Sequence, residues 1–279
     1  MYGLYPRAAD FTNGEYLRDF AQTTLLGSDF GLVGPIGQNP TGQDSFGNLE
    51  AFGPLAQHPG GLIYHGNGLL PAIQTFLNAQ AVQAPTPDGV IDTSWLVVQH
   101  VDEIVSIDAF NNVAYVADPL LAMIILILED PAYLFDQGQL WRWNQEPLTA
   151  SELLSDYGQL NDVADAQIQL LRDRLNNLGY QVISIPVFFF EPQGYPGLST
   201  AAFPNMVNML NVDGSLIVPD PFYQPFKDAL LSAVPLGAPV QWIDSLEMHW
   251  LNGEVHCTTG TIRWPSDEVL QWWLHEPTN

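Results

Sequence analysis

Short apolar runs closed by turn residues, with stretches of helical character between them, restrict this chain to a mixed α/β architecture. Residues 69–80 are helical in pattern, and residues 94–107 hold a strand or strand pair. Residues 120–128 form an uninterrupted apolar run, read as a buried strand between Asp118-Pro119 and Glu129-Asp130-Pro131. Helical stretches follow at 149–156 and 161–178, with Gly179 as the stop. Residues 181–190 read as another strand. Residues 206–211 and 215–218 flank Val212-Asp213-Gly214, a hairpin signal because Asp-Gly suits turns whose twist matches antiparallel strands. A helix at 222–233, a strand at 241–243 and a strand at 252–259 complete the series. The order predicts ββαβ units.

Composition narrows the partners. Thirty-one acidic residues against seven basic ones give a formal charge of −24, which excludes nucleic acid as a partner and disfavours anionic membranes. Cationic polypeptides are favoured, although acidic surface also serves solubility. The 47% of hydrophobic residues supply a buried core, and 279 residues suit one large domain or two small ones. The longest apolar run is far shorter than the roughly 20 residues a membrane helix needs. The opening residues lack a basic segment followed by an apolar one, so the expected location is the cytoplasm, with secretion the alternative should a further N-terminal part precede. A single cysteine leaves the redox compartment open.

That cysteine, Cys257, cannot form an intrachain disulfide, which leaves two roles: buried filler or reactive nucleophile. Thr258-Thr259-Gly260 after it is turn material and would place the thiol at a strand end. Far upstream, the strand reading of residues 95–107 and its period of two put His100 and Asp102 on one face. They form either a structural hydrogen-bonded pair or, with Cys257, a nucleophile, an acid/base and a substrate carboxylate.

The segments NGEVHCTTGTIR (252–263) and WLVVQHVDEIVSI (95–107) resemble the signature segments of the protein-arginine deiminases, calcium-dependent enzymes that convert peptidyl arginine to peptidyl citrulline. Asp29-Phe30-Gly31 with DSFGNLE (44–50), NAQAVQAP (78–85) and FPNMVNML (203–210) resemble that family in the same order. The resemblance implies a pentein-type α/β propeller, of which this length supplies about four of five blades. It implies that residues 1–279 form one catalytic domain, with 1–28 a poorly matched lead-in. No W-x-Q-D-E-x-E segment, the family's source of a second guanidinium-binding aspartate and of calcium ligands, stands upstream of Asp29. Arg7 is a weak match to that region. The chain thus looks like the later part of a catalytic domain.

By the same resemblance Cys257 is the nucleophile, Asp102 holds the guanidinium, and His100 protonates the departing ammonia. The carbonyls of Phe46 and Leu49 with the side chain of Glu50 would contact calcium, three ligands where that ion takes six to eight. Asn205 and Asn208 match a segment near the substrate cleft, as substrate contacts or as ties between strands. Glu254 and His256 would point away from Cys257 on a regular strand and are read as structural. Trp264, Trp272 and Trp273 are expected to close the last blade. Arginine-containing proteins are the implied substrates. The alternatives are a non-catalytic arginine- or partner-binding relative and a free-arginine or agmatine deiminase, the second disfavoured by DSFGNLE.

Overall fold

The computed structural model describes residues 46–259 apart from 54, 57, 59–60, 80–88, 110, 130–131, 136–147 and 213. The lead-in, Asp29-Phe30-Gly31, Asp44-Ser45, most of NAQAVQAP and the three C-terminal tryptophans lie outside the described residues.

In chain order, a 3-10 turn Phe46–Asn48 leads into β1 (Leu49–Phe52), which pairs antiparallel with β2 (Leu62–His65), Glu50 opposite Tyr64. Helix α1 (Pro71–Asn78) follows. A second 3-10 turn, Val101–Glu103, precedes β3 (Val105–Asp108), which pairs antiparallel with β4 (Val113–Asp118). Then come α2 (Pro119–Leu128), the short pair β5 (Leu134–Phe135) and β6 (Leu148–Thr149), and α3 (Ala150–Leu178). The chain returns through β7 (Gln181–Pro186), parallel to β4. Two-residue strands β8 (Phe189–Phe190) and β9 (Thr200–Ala201) pair antiparallel. Strand β10 (Leu210–Val212) pairs antiparallel with β11 (Ser215–Pro219), α4 (Gln224–Ala233) crosses over, and β12 (Val240–Ile243) lies parallel to β11. Helix α5 (Leu246–His249) is the last described element.

The two three-stranded sheets share one order: an antiparallel pair, then a helical crossover to a parallel third strand. That is the ββαβ unit expected from the sequence, and the fold is α/β. Among the described residues no sheet closes on itself.

Two expectations change. The apolar run 120–128 is helix α2, not a strand. An apolar run carries no period, so its ends decide: Asp118 caps the helix by accepting the Leu121 N–H at 2.8 Å, and Pro119 supplies a preset first-turn φ. Ala122 and Leu126, four apart, are buried, while Ile124, Ile127 and Leu128 face outward. Likewise, the two helices expected in 149–178 are one continuous helix of 29 residues. Gly158 does not interrupt it, because Thr149 and Glu152 form a capping box at its start, and buried Leu153, Ala164, Ile168, Leu171 and Leu175 keep one face on the sheet. Gly179 ends it at φ 94°, as its position predicted.

The core lies between sheet β3-β4-β7 and helices α2 and α3. Asn161, fully buried on α3, both donates to the Phe189 carbonyl and accepts the Phe189 N–H, each at 2.8 Å, so the helix is stitched to β8. Arg172 ties α3 to the end of β4 through Asp118 Oδ2 (3.3 Å) and the Ala117 carbonyl (2.7 Å), and to its own helix through Asp165 Oδ1 (2.8 Å). No helix among the described residues is long and apolar enough to cross a membrane.

Candidate active site

Residues 100–103 are not strand. Gln99 takes a left-handed φ of 63°, and the chain turns through the 3-10 segment before β3 begins at Val105. The His100 N–H is received by Glu103 Oε1 at 3.1 Å. His100 and Asp102 are both buried, with Nδ1 4.0 Å from Oδ1, so the pair that strand alternation predicted to share a face is brought together by a turn instead.

Cys257 also lies in a turn. Asn252, at φ 60°, lies in the turn that follows α5, and residues 255–258 coil with the Thr258 N–H on the Glu254 carbonyl (3.2 Å) and the Thr259 N–H on the His256 carbonyl (3.1 Å). Both threonine hydroxyls return to backbone carbonyls of the same turn, competing with extended structure. The consequence is chemical. On a strand, neighbours face opposite ways; in this turn, His256 and Cys257 both reach Asp102.

The resulting cluster is tight. Cys257 Sγ donates to Asp102 Oδ2 at 3.2 Å, and His256 Nδ1 lies 3.0 Å from the same oxygen. Its Nε2 lies 3.3 Å from Glu50 Oε1. Donor atoms of His100, Asp102 and Cys257 fall within 4.8 Å of one another. Asp102 Oδ1 is buried with no hydrogen-bond partner among the described residues. Gly47 closes the cluster from above: a Cβ there would sit 2.6 Å from His100 Nδ1 and 2.7 Å from Asp102 Oδ2, so only glycine lets the DSFGNLE backbone approach this closely.

Two neighbouring carboxyls are driven in opposite directions. Burial alone would raise Asp102, but the His256 bond, the charges of His256 and His100 and the Cys257 bond outweigh it and hold this carboxyl below the ordinary range. Glu103 has burial and the Asp102 charge against it, and is pushed up to about 8. Burial and then Asp102 push the Cys257 thiol up as well. The residue is exposed by surface area even though protein atoms crowd its sulfur; exposure governs access by reagents, and crowding governs ionisation.

FPNMVNML binds the two loops. The Asn208 amide reaches both Asp102 and the Cys257 turn, and Asn205 Nδ2 donates to the Glu103 carbonyl at 2.8 Å. Glu254 is buried behind the thiol, accepting from Ser245 (2.6 Å), the Asn205 N–H (3.1 Å) and His249 Nδ1 (2.5 Å), which fits its structural reading. His256, by contrast, belongs to the cluster. Its adjacency to Cys257 was the visible signal, and the assumption of a strand concealed it.

Of the expected calcium set, Phe46 and Leu49 bracket the first 3-10 turn, and the Glu50 carboxylate faces His256. Three oxygens fall short of a six- to eight-oxygen shell, so these residues alone do not fit a complete calcium site. A thiol, an imidazole and a carboxylate also suit zinc. Here both the sulfur and Asp102 Oδ2 are engaged in hydrogen bonds within the cluster.

A family model described as protein-arginine deiminase matches residues 6–274, extending upstream of Asp29 where the resemblance was legible. Human protein-arginine deiminase type-1 is 30% identical over 309 residues, covering 98% of this chain and 45% of its own length. Human type-4 is 30% identical over 314 residues with the same two coverages. The chain thus spans under half the length of the curated relatives it matches. Among solved structures, a protein provisionally assigned as a peptidyl-arginine deiminase superposes with a TM-score of 0.50 at 13% identity, over 90% of this chain and 65% of its own. A provisionally assigned arginine deiminase from Porphyromonas gingivalis gives 0.50 at 14% identity, over 88% and 62%. Both likenesses concern the fold.

Proposed function

This chain belongs to the protein-arginine deiminase family, and from that premise we propose that it hydrolyses the guanidinium of peptidyl arginine to peptidyl citrulline and ammonia. The observation that carries the reading is the convergence of Cys257 Sγ, a ring nitrogen of His100 and the Asp102 carboxylate, with Asp102 Oδ1 buried and without a hydrogen-bond partner among the described residues. An anionic oxygen in that condition is costly without a donor. A substrate guanidinium N–H supplies one, and its charge answers that of Asp102.

The Cys257 thiol passes its proton to His100, and the thiolate attacks the guanidinium carbon, forming a C–S bond in a tetrahedral adduct. His100 gives a proton to one amino nitrogen, which leaves as ammonia when its C–N bond breaks, and an S-alkylthiouronium remains. His100 then takes a proton from water, whose oxygen attacks the same carbon. The C–S bond breaks, the adduct's hydroxyl proton passes to solvent, where ammonia takes it up, the thiolate is restored and the ureido group of citrulline is released. A thiol held up by burial and Asp102 needs help to ionise. The arriving guanidinium provides it by neutralising Asp102.

Calcium dependence enters this proposal through family membership alone. Phe46, Leu49 and Glu50 would be the contribution of this stretch, and no step above passes through the ion. The two ββαβ units are read as blades of a pentein-type propeller, and the −24 charge as attraction for arginine-bearing polypeptides. The test is citrulline release from a peptidyl-arginine substrate, with calcium and with chelator, using this chain. Turnover lost in C257S supports the reading. A folded protein that binds the peptide and releases no citrulline overturns it in favour of a non-catalytic binder.

A further inference from the structure

Asn208 is 1% exposed and sits where the two loops of the site meet. Its Oδ1 accepts the backbone N–H groups of His256 (3.0 Å) and Cys257 (3.2 Å). Its Nδ2 donates to the Asp102 carbonyl (3.3 Å) and to Cys257 Sγ (3.3 Å). The amide cannot be turned over: two backbone N–H groups only donate, so the oxygen must face them and the NH2 must face the sulfur. A primary amide has two N–H groups and two lone pairs, and here all four are engaged.

This deepens the deiminase reading and rests on it for its place in turnover. We propose that Asn208 is a positioning residue that seats the Cys257 turn and holds the sulfur with an N–H donor in the form in which it attacks, and that it does not contact the substrate arginine. The sulfur lies between an acceptor, Asp102 Oδ2 at 3.2 Å, and a side-chain donor, Asn208 Nδ2 at 3.3 Å, with the Glu254 main chain as a further donor. The acceptor favours the thiol and the donor favours the thiolate. Once a guanidinium occupies Asp102 the acceptor is withdrawn, while the donor stays because its other three bonds keep it there. Asn205 supplies the contrast. It ties the same two loops through the Glu103 carbonyl and Glu254, but its amide bonds to Glu103 and Val207 instead of the sulfur.

Cys257 is the only cysteine in the chain, so the pH dependence of alkylation by iodoacetamide reads this sulfur alone. The rate is measured in the parent, N208S, N208D and N205S, alongside kcat and KM for a peptidyl-arginine substrate. A hydrogen bond to a charged group is worth about tenfold or more. N208S should therefore alkylate about tenfold more slowly near neutral pH, with its midpoint about one unit higher and kcat reduced while KM holds within about twofold. N208D, which puts a carboxylate in the donor's place, should move the midpoint further up; if it does not fold, N208S carries the test. N205S should leave the midpoint in place. An unchanged midpoint in N208S, an equal shift in N205S, or a raised KM with intact kcat would each overturn the proposal. If the parent releases no citrulline, the deiminase reading fails and the alkylation midpoints still decide the role of Asn208.

Discussion

Arg172 and Asp102 are both ionic side chains held among apolar residues, but their partners differ in kind. Arg172 is met by Asp118, Asp165 and a main-chain carbonyl, all on or at the ends of regular elements packed against one another. The Asp102 carboxylate is met by a thiol and an imidazole from one turn, with His100 Nδ1 4.0 Å away, and its Oδ1 has no hydrogen-bond partner among the described residues. Each leaves one buried polar atom without a hydrogen bond among the described residues, Arg172 Nε and Asp102 Oδ1, but the charge of Arg172 is answered by two carboxylates within its own packed elements. A charge left incomplete in a buried place is held there by surrounding structure, and that incompleteness can be filled by a ligand.

Substitutions should therefore separate turnover from stability. The largest effect belongs to C257S, which should remove all citrulline formation while the melting temperature stays put; a large loss of stability would make the thiol a packing residue. Next, D102N should lower kcat/KM by roughly a hundredfold or more, since truncating a buried charged partner typically costs that much. R172A should destabilise by about 3–5 kcal/mol in urea titration, as removal of one partner from a buried ion pair does, and leave the turnover of folded protein unchanged. The contrast collapses if D102N unfolds the chain or R172A silences the folded enzyme. A smaller effect is expected of G47A, whose Cβ would press on His100 and Asp102: a loss of about 1–3 kcal/mol and a reduced kcat. Smallest is a pH effect at Glu103. Between its unfolded value near 4.5 and its folded value of about 8, the folded state keeps a proton that the unfolded state has released, so stability falls as pH rises through this window. E103Q should flatten that fall, leaving stability near pH 5 alike and stability at pH 9 above that of the parent. Urea midpoints at the two pH values check it.

Legibility followed the same division. The amphipathic face of α3, the Gly179 stop and the Asp-Gly hairpin could be read because period and punctuation dictate them locally. The run that became α2 has no period, and the cap at Asp118 that decides it is one hydrogen bond. That Cys257, His100 and Asp102 would come together was legible, but the conformation that brings them together was not. Alternation assumed a strand where the hydroxyls of Thr258 and Thr259 hold a turn, and that assumption hid His256. The close approach of Gly47 to Asp102 depends on contacts between distant segments that no local pattern encodes.

The hydrogen bond from Cys257 to Asp102 joins residues 155 apart in sequence. Closing a loop of that length costs roughly 4–5 kcal/mol of chain entropy before any local contact offsets it. Local helices can form before then, so the thiol and its carboxylate are expected to meet late in folding. Until they do, Cys257 is an ordinary thiol with no carboxylate beside it: the arrangement is timed by topology.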